Sequence, residues 1–478
     1  MTPTARRLTA VLLAMVLAVL VVPLAVYAGP AVISSVIPKD PRPTTVPTPA
    51  IQLAPTEVTM PTVVTGLNAD APRPSRKALT ALLPPLLKVD GEGDFTGVVL
   101  DARGGDVLFD QLAAEPRIPA SNQKLLTATA VVSTLGPDRR FETSVYYGAE
   151  PGSVALRGGG DVLLGSGKSK PNAVVGHAGL QTLAERTVTA LTQGGKPPGE
   201  ALRVVVDDSL FTGPVLHPSW QQPDIDSGQI APIYPLALNS AWLEGANPND
   251  ERHRDPALAA AQAFRDALSA AGKAQGVTVA EGVTRGAADK DSDRLAFVGS
   301  ARVVDQAEHM LLVSDNYLAE ALARMTAIGA GEVPSFAGGT GAVVAAVARL
   351  GVSVDGLVLA DASGLSLRNA MSAAQLAAVV RTMINSDRPG LQEVLDGLPV
   401  ASLDGSLAER FDDAAGAGVV RAKTGTLFTA TSLSGYVVDR DGRLLVFSFI
   451  GNGLASNTLQ ARAAVDAAAS ALAGCGCR

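Results

Sequence analysis

Pro119-Ala120-Ser121-Asn122-Gln123-Lys124, followed by Leu125, Ala128, Val131, Val132 and Leu135, is the stretch on which the fold turns. Its apolar residues recur at helical spacing, Pro119 favours an extended approach, Ser121 is a good N-terminal cap, and Gly136-Pro137 ends the element. Residues three apart share a helix face, so Lys124 can reach back to the Ser121 hydroxyl. A serine is a poor nucleophile until a base takes its proton. An amine with a reference pKa of about 10.4 serves as that base only when burial or nearby cations lower the value. The helix start adds N–H groups and a positive dipole end where an oxyanion will develop. Taken alone, these residues describe a capping serine and a solvated lysine equally well.

Two later stretches change the balance. Ser314-Asp315-Asn316 stands in a helical pattern running from Val303 to Ile328, and Arg421-Ala422-Lys423-Thr424-Gly425-Thr426-Leu427 leads into a strand pattern. Singly, the first reads as a polar helix turn and the second as a solvated loop. As an ordered set, Ser-x-x-Lys, Ser-Asp-Asn and Lys-Thr-Gly resemble the three elements of the penicillin-recognising serine enzymes. The resemblance implies that Ser121 is the nucleophile and Lys124 its base. Lys423 and Ser314 would place a cation and a hydroxyl near Lys124, keeping the amine neutral and relaying a proton to the leaving group. Asn316 can bond both Lys124 and a substrate amide. Thr424 and Thr426 on an exposed strand edge can hold a terminal carboxylate, and Gly425 lets a substrate backbone approach. The N–H groups of Ser121 and Thr426 would form the oxyanion hole.

The neighbouring residues narrow the likeness. Asp361-Ala362-Ser363-Gly364-Leu365-Ser366, Leu398-Pro399-Val400, Asp404-Gly405-Ser406-Leu407 and Leu433-Ser434-Gly435-Tyr436 join the three motifs. The series is similar to the class C low-molecular-mass penicillin-binding proteins of the type 4 group, which are D-alanyl-D-alanine carboxypeptidases and endopeptidases. It implies an α+β transpeptidase-like fold, an antiparallel sheet with flanking helices plus an all-helical subdomain, carrying a large inserted domain. Substrates would be peptidoglycan stem peptides, with β-lactam antibiotics as inhibitors and no cofactor or metal. Gly158-Gly159-Gly160-Asp161 looks like the family's Gly-x-Gly-Asp element, so Asp161 and an arginine could bind the diamino acid of the stem peptide. Where family members often carry Arg after Ser-Gly-Leu-Ser, this chain has Leu367, with Arg368 next.

The rest of the chain fits an exported enzyme. Arg6 and Arg7 precede an apolar run from Leu8 to Ala28, a secretory signal or a membrane anchor. Recurrent prolines make residues 29–76 a semi-rigid spacer, which places the folded body in the periplasm, cell wall or medium. Hairpins over 95–111 and 432–450, with a helix over 459–473, suggest one sheet closed by both chain ends. The catalytic domain is expected over 77–140 and 293–474, with the insert over 141–292. The formal net charge of −7 and an aromatic content of 4% argue against a nucleic-acid surface.

Competing chemistries find less material. Cys475 and Cys477 are the only cysteines, and their spacing would make a strained ring. A Ser-His-Asp hydrolase lacks a Gly-x-Ser-x-Gly element, and the histidines 177, 217, 253 and 309 stand alone. Gly167-Lys168-Ser169 misses the phosphate-loop spacing because position 162 is Val, and Asp289, Asp291 and Asp293 lack the Gly and Glu of a calcium loop. A serine β-lactamase would need a deacylating Glu-x-x-Leu-Asn element, which is not evident. A non-catalytic wall-binding scaffold would tolerate damaged motifs, and all three are intact.

Overall fold

Strands from both ends of the chain build the main sheet of the computed structural model, which describes residues 70–193, 199–243, 251–289, 291–412 and 414–478. The expected signal or anchor of residues 1–28, and most of the spacer 29–76, lie outside these. Helix α1 (Arg76–Leu82) precedes β1 (Asp94–Asp101) and β2 (Val107–Gln111); near the other end come β8 (Arg421–Leu427), β9 (Ala430–Val438), β10 (Leu444–Asn452) and α9 (Thr458–Ala473). The order is β8-β9-β10-β1-β2, antiparallel throughout.

Both faces of the sheet are covered, and the side-chain alternation shows how. Phe95 and Val99 of β1, with Leu445, Phe447 and Phe449 of β10, pack against α1 and α9. Val98, Leu100, Val446 and Ile450 point the other way, into the core that holds α2 (Lys124–Leu135) and α8 (Ala373–Ile384). Instead of presenting one apolar stripe, α2 is buried on all sides from Lys124 to Val132. It lies among the sheet, α8, α5 (Val303–Val313), α6 (Asn316–Ala330) and α7 (Phe336–Arg349).

A second, mixed sheet forms from β3 (Glu142–Tyr147), β4 (Ser153–Arg157), β5 (Leu202–Asp207), β6 (Val279–Arg285) and β7 (Arg294–Gly299), in the order β6-β5-β4-β3-β7. Helices α3 (Leu180–Thr192) and α4 (Pro256–Gly272) cover it with Leu183, Val188, Ala260 and Phe264. Its limits differ from the expected 141–292, because β7 zips onto β3 with Glu142 opposite Gly299. Nor is the insert self-contained. After β5 the chain crosses to the catalytic body, where Trp220, Ile230, Ala231, Ile233 and Ala237 share a core with α2 and α6.

Two other boundaries move. The folded body begins before residue 77, since Ala71 is buried, the Ser75 hydroxyl caps α1, and the Ser75 N–H donates to the Cys477 carbonyl at 2.7 Å. Cys475 and Cys477 are paired with each other. The helical pattern over 303–328 is two helices, broken where Ser314 turns left-handed (φ 60°).

Charge pins the sheet at its turn. The fully buried Asp101 carboxylate, at the end of β1, accepts from Arg443 Nε and Nη2 at 2.6 and 2.8 Å and from the Gly104 N–H at 2.7 Å. Removing one partner of a buried ion pair strands the other charge. Asp101→Asn is therefore expected to lower unfolding stability by about 3 kcal/mol in urea titrations, with the slope unchanged. An unmoved midpoint would show the pair to be dispensable.

Candidate active site

Ser121 is held by a turn rather than acting as a cap. It lies in a 3₁₀ turn, Ala120–Gln123, and α2 starts at Lys124 without a side-chain cap. Pro119 is helical (φ −81°, ψ −11°), not extended. Tertiary bonds override the local preference. The Ser432 hydroxyl on β9 donates to the Pro119 carbonyl at 2.6 Å and accepts from Asn122 Nδ2 at 2.7 Å, while Gln123 Nε2 donates to the Asp361 carbonyl. The serine hydroxyl is thereby left for chemistry.

Close packing fixes the residue beside it. Ala120 has φ +47°, a region that non-glycine residues seldom occupy. Gly364, itself at φ +84°, lies against the Ala120 carbonyl, where a Cβ would collide. A Cβ on Gly425 would collide with the Ser432 hydroxyl and crowd Ala120 and Asn122. The missing side chain of Gly425 makes room for the start of the serine turn.

Lys124 carries the electrostatics. Its Nζ lies 2.9 Å from Ser121 Oγ, 2.6 Å from Asn316 Oδ1 and 2.7 Å from the Ser363 carbonyl. The Asn316 orientation is set by Nδ2 donating to the Gln229 carbonyl at 3.0 Å. Both carbonyl partners are acceptors only, so a neutral amine gives them its two N–H bonds and turns its lone pair to the serine. Burial pulls the Lys124 pKa down to about 8, against the opposing pull of Asp361, Asp315 and Glu320.

The other expected residues divide. Ser121, Ser314, Asn316, Thr424 and Thr426 line one cleft of about 730 Å³. Thr424 Oγ1 meets the Ser406 hydroxyl at 2.6 Å, and Thr426 is exposed. Among the described contacts, the Ser314 hydroxyl bonds neither lysine. Lys423 is fully buried, with Nζ donating to the Thr424 carbonyl at 2.9 Å. Burial first, and the adjacent Lys124 charge second, push the Lys423 amine well below its usual range. Both effects oppose the positive charge expected for Lys423 beside Lys124.

Asp161 does not reach the cleft. It is 1% exposed, accepts from the Leu163 N–H at 2.9 Å, and has its carboxyl pushed up to about 7 by burial. Arg368 is exposed and away from the lining. The paired pocket for a diamino acid is therefore corrected: the local fold spends Asp161 on its own backbone. Asp224, Gln229, Phe428 and Leu459 line the cleft instead. A groove of about 840 Å³ between α3 and α4 contains none of the motif residues.

Several contributors escaped sequence reasoning. The Ser363 carbonyl and the buried Glu320 and Asp361 stand in or beside quoted motifs, but only the fold reveals their contacts. Gln229 and Trp220 come from the returning segment, and nothing in their sequence marks them.

A helix-flanked antiparallel sheet with a Ser-x-x-Lys turn at its junction defines the penicillin-recognising serine hydrolases. The sequence model of the D-Ala-D-Ala carboxypeptidase 3 (S13) family matches residues 85–247 and 238–473, and the chain belongs to that family. It is 35% identical over 434 residues to carboxypeptidase DacB of Mycolicibacterium smegmatis, covering 90% of this chain and 91% of that one. With the D-alanyl-D-alanine carboxypeptidase of an Actinomadura species it shares 29% over 428 residues, covering 76% and 78% of the two chains. Its fold is that of the penicillin-binding protein 4 crystal structure from Haemophilus influenzae, with a TM-score of 0.63 and 20% identity over 83% of this chain and 98% of that one.

Two outcomes follow from the geometry. Acylation should accelerate as pH rises through about 8, because below that value the Lys124 amine is protonated and cannot accept the serine proton. A flat rate profile with a fluorescent penicillin would remove Lys124 as the base. Gly364→Ala should slow acylation about 100-fold by displacing the Ala120 peptide; a wild-type rate would show that the contact yields.

Proposed function

We propose that the protein is a serine D-Ala-D-Ala carboxypeptidase acting on peptidoglycan stem peptides through an acyl-enzyme on Ser121, and that penicillins inhibit it. The observation that carries this reading is the buried Lys124 amine, whose two acceptor-only partners leave its lone pair facing Ser121 Oγ. Membership of the D-Ala-D-Ala carboxypeptidase 3 family supports the substrate class. A Haemophilus influenzae relative of the same fold has been crystallised with a β-lactam.

In the reaction, the Ser121 proton passes to Lys124 as Oγ bonds the penultimate D-Ala carbonyl carbon. The developing oxyanion takes N–H bonds from Ser121 and Thr426. Asn316 holds the acyl amide, and Thr424 and Thr426 hold the terminal carboxylate. The C–N bond breaks and the amine of the departing D-Ala gains the proton held by Lys124, in the cleft that Ser314 also lines. Water then attacks the ester, regenerating the Ser121 hydroxyl and releasing the shortened peptide.

We further infer export, supported by Arg6 and Arg7 ahead of the apolar run. Cell fractionation checks it: protein found only in the cytoplasm would refute export.

Intact mass after incubation with benzylpenicillin tests the function. The wild-type chain should gain the mass of one drug and Ser121→Ala should gain none. The wild type alone should release D-alanine from a pentapeptide. Rapid drug hydrolysis without a stable adduct would point to a β-lactamase, and neither adduct nor hydrolysis would favour a scaffold.

A further inference from the structure

The turn that receives the second N–H of Lys124 is caged by two buried carboxylates. Asp361 accepts from the N–H groups of Gly364 and Ser366 at 2.9 and 2.7 Å, and from Asn369 Nδ2 and Trp220 Nε1, both at 2.8 Å. From the opposite side, Glu320 Oε1 on α6 accepts from the N–H groups of Ala362 and Ser363 at 2.9 and 2.8 Å. The Ala362 carbonyl takes the Thr127 hydroxyl of α2 at 2.7 Å, and the Ser363 carbonyl takes Lys124 Nζ at 2.7 Å. One residue, Ser363, therefore joins the Glu320 carboxylate at its N–H to the Lys124 amine at its carbonyl.

Glu320 is 1% exposed, and ordinary surface solvation cannot hold its charge. Its other oxygen lies 3.8 Å from the buried Arg324, whose guanidinium sits 4.0 Å above the Phe336 ring. The charged and titratable groups around it are Arg324 on its own helix, Asp361 on the turn, Lys124 on α2, and His217 beyond Arg324 and Asp361. Burial, then Asp361, raises the Glu320 carboxyl to about 7, and Arg324 opposes the rise. A stability role alone would be met by any well-packed side chain. A carboxylate adds a negative charge one residue away, across Ser363, from the amine that must lose a proton.

We propose that Glu320 is a positioning residue for the Ser121–Lys124 pair, holding the Ser363 carbonyl in place and setting through its charge how tightly Lys124 keeps a proton. The inference rests on the acyl-enzyme reading above. In Glu320→Gln, the amide oxygen can keep both backbone bonds while the charge is gone. Without that charge the ammonium is less favoured, so the acidic limb of the acylation profile moves to lower pH.

The experiment measures penicillin acylation of the full chain from about pH 5 to pH 10 for wild type, Glu320→Gln and Trp220→Phe. In Glu320→Gln, the rate at about pH 7.5, where wild-type Glu320 is mainly ionised and Lys124 still mainly protonated, should rise about twofold relative to the alkaline plateau. Trp220→Phe loosens the turn on the Asp361 side without changing charge, and should lower the plateau without moving the limb. An unmoved limb in Glu320→Gln, whatever its plateau, overturns the proposal. If that variant does not fold, Arg324→Gln is measured instead. It removes the cation that favours ionised Glu320, so the limb should move the same way, and an unmoved limb overturns the proposal. Absence of acylation in wild type overturns the carboxypeptidase reading and this one together; acylation with an unmoved limb overturns this one alone.

Discussion

Taking the Lys124 amine out of water penalises its protonated form far more than its neutral form. The protein offsets the lost hydration with oriented acceptors, Asn316 Oδ1 and the Ser363 carbonyl, and leaves the third direction to Ser121. Each acceptor is useful only if fixed. A rotated Asn316 amide would present donors to a donor, so the bond from its Nδ2 to Gln229 matters as much as the bond to the lysine. The site is thus a set of dipoles aimed before substrate arrives, which is where electrostatic catalysis gains most.

This requirement explains why the inserted region does not stay apart. Its strands form a sheet of their own, yet the segment after β5 returns to lie on α6. There Tyr317 donates to the Pro232 carbonyl at 3.1 Å. The buried Arg252 reaches the Gly228 carbonyl at 2.7 Å, the Ser240 carbonyl, and the Asp315 carboxylate at 3.9 Å. Asp315 caps α6 directly before Asn316. The insert therefore braces the Ser-Asp-Asn corner from outside, and the catalytic body would be incomplete without it.

Much of this was legible in the chain. Apolar runs bounded by turn signals announced the hairpins of β1-β2 and β9-β10, and the runs are near-continuous in β1 and β10 because both faces of the sheet are covered. The motif order announced the cleft residues Ser121, Asn316 and Thr424, and Lys124 buried behind the serine. What sequence could not supply was anything decided by distant contacts. The Ser121 turn is 3₁₀ because Ser432, more than three hundred residues away, ties down Pro119. The second demand on Gly425, that a Cβ there would meet Ser432 and Ala120, had no local signal. Local sequence is also silent about depth, so the full burial of Lys423 had no signal. Asp161 carried a familiar pattern, but its backbone bends the carboxylate onto Leu163.

The strand order has a consequence for synthesis. β1 is paired over its whole length with β10, Asp94 opposite Asn452, so the first and last strands of the folded body are neighbours. A ribosome releases β1 and the serine turn early, yet Ser432 and β10, which fix them, emerge only when nearly the whole chain has been made. Closing so long a loop is slow and comes late. The nucleophile is consequently unformed throughout translation, and the chain is born inactive without needing a propeptide to restrain it.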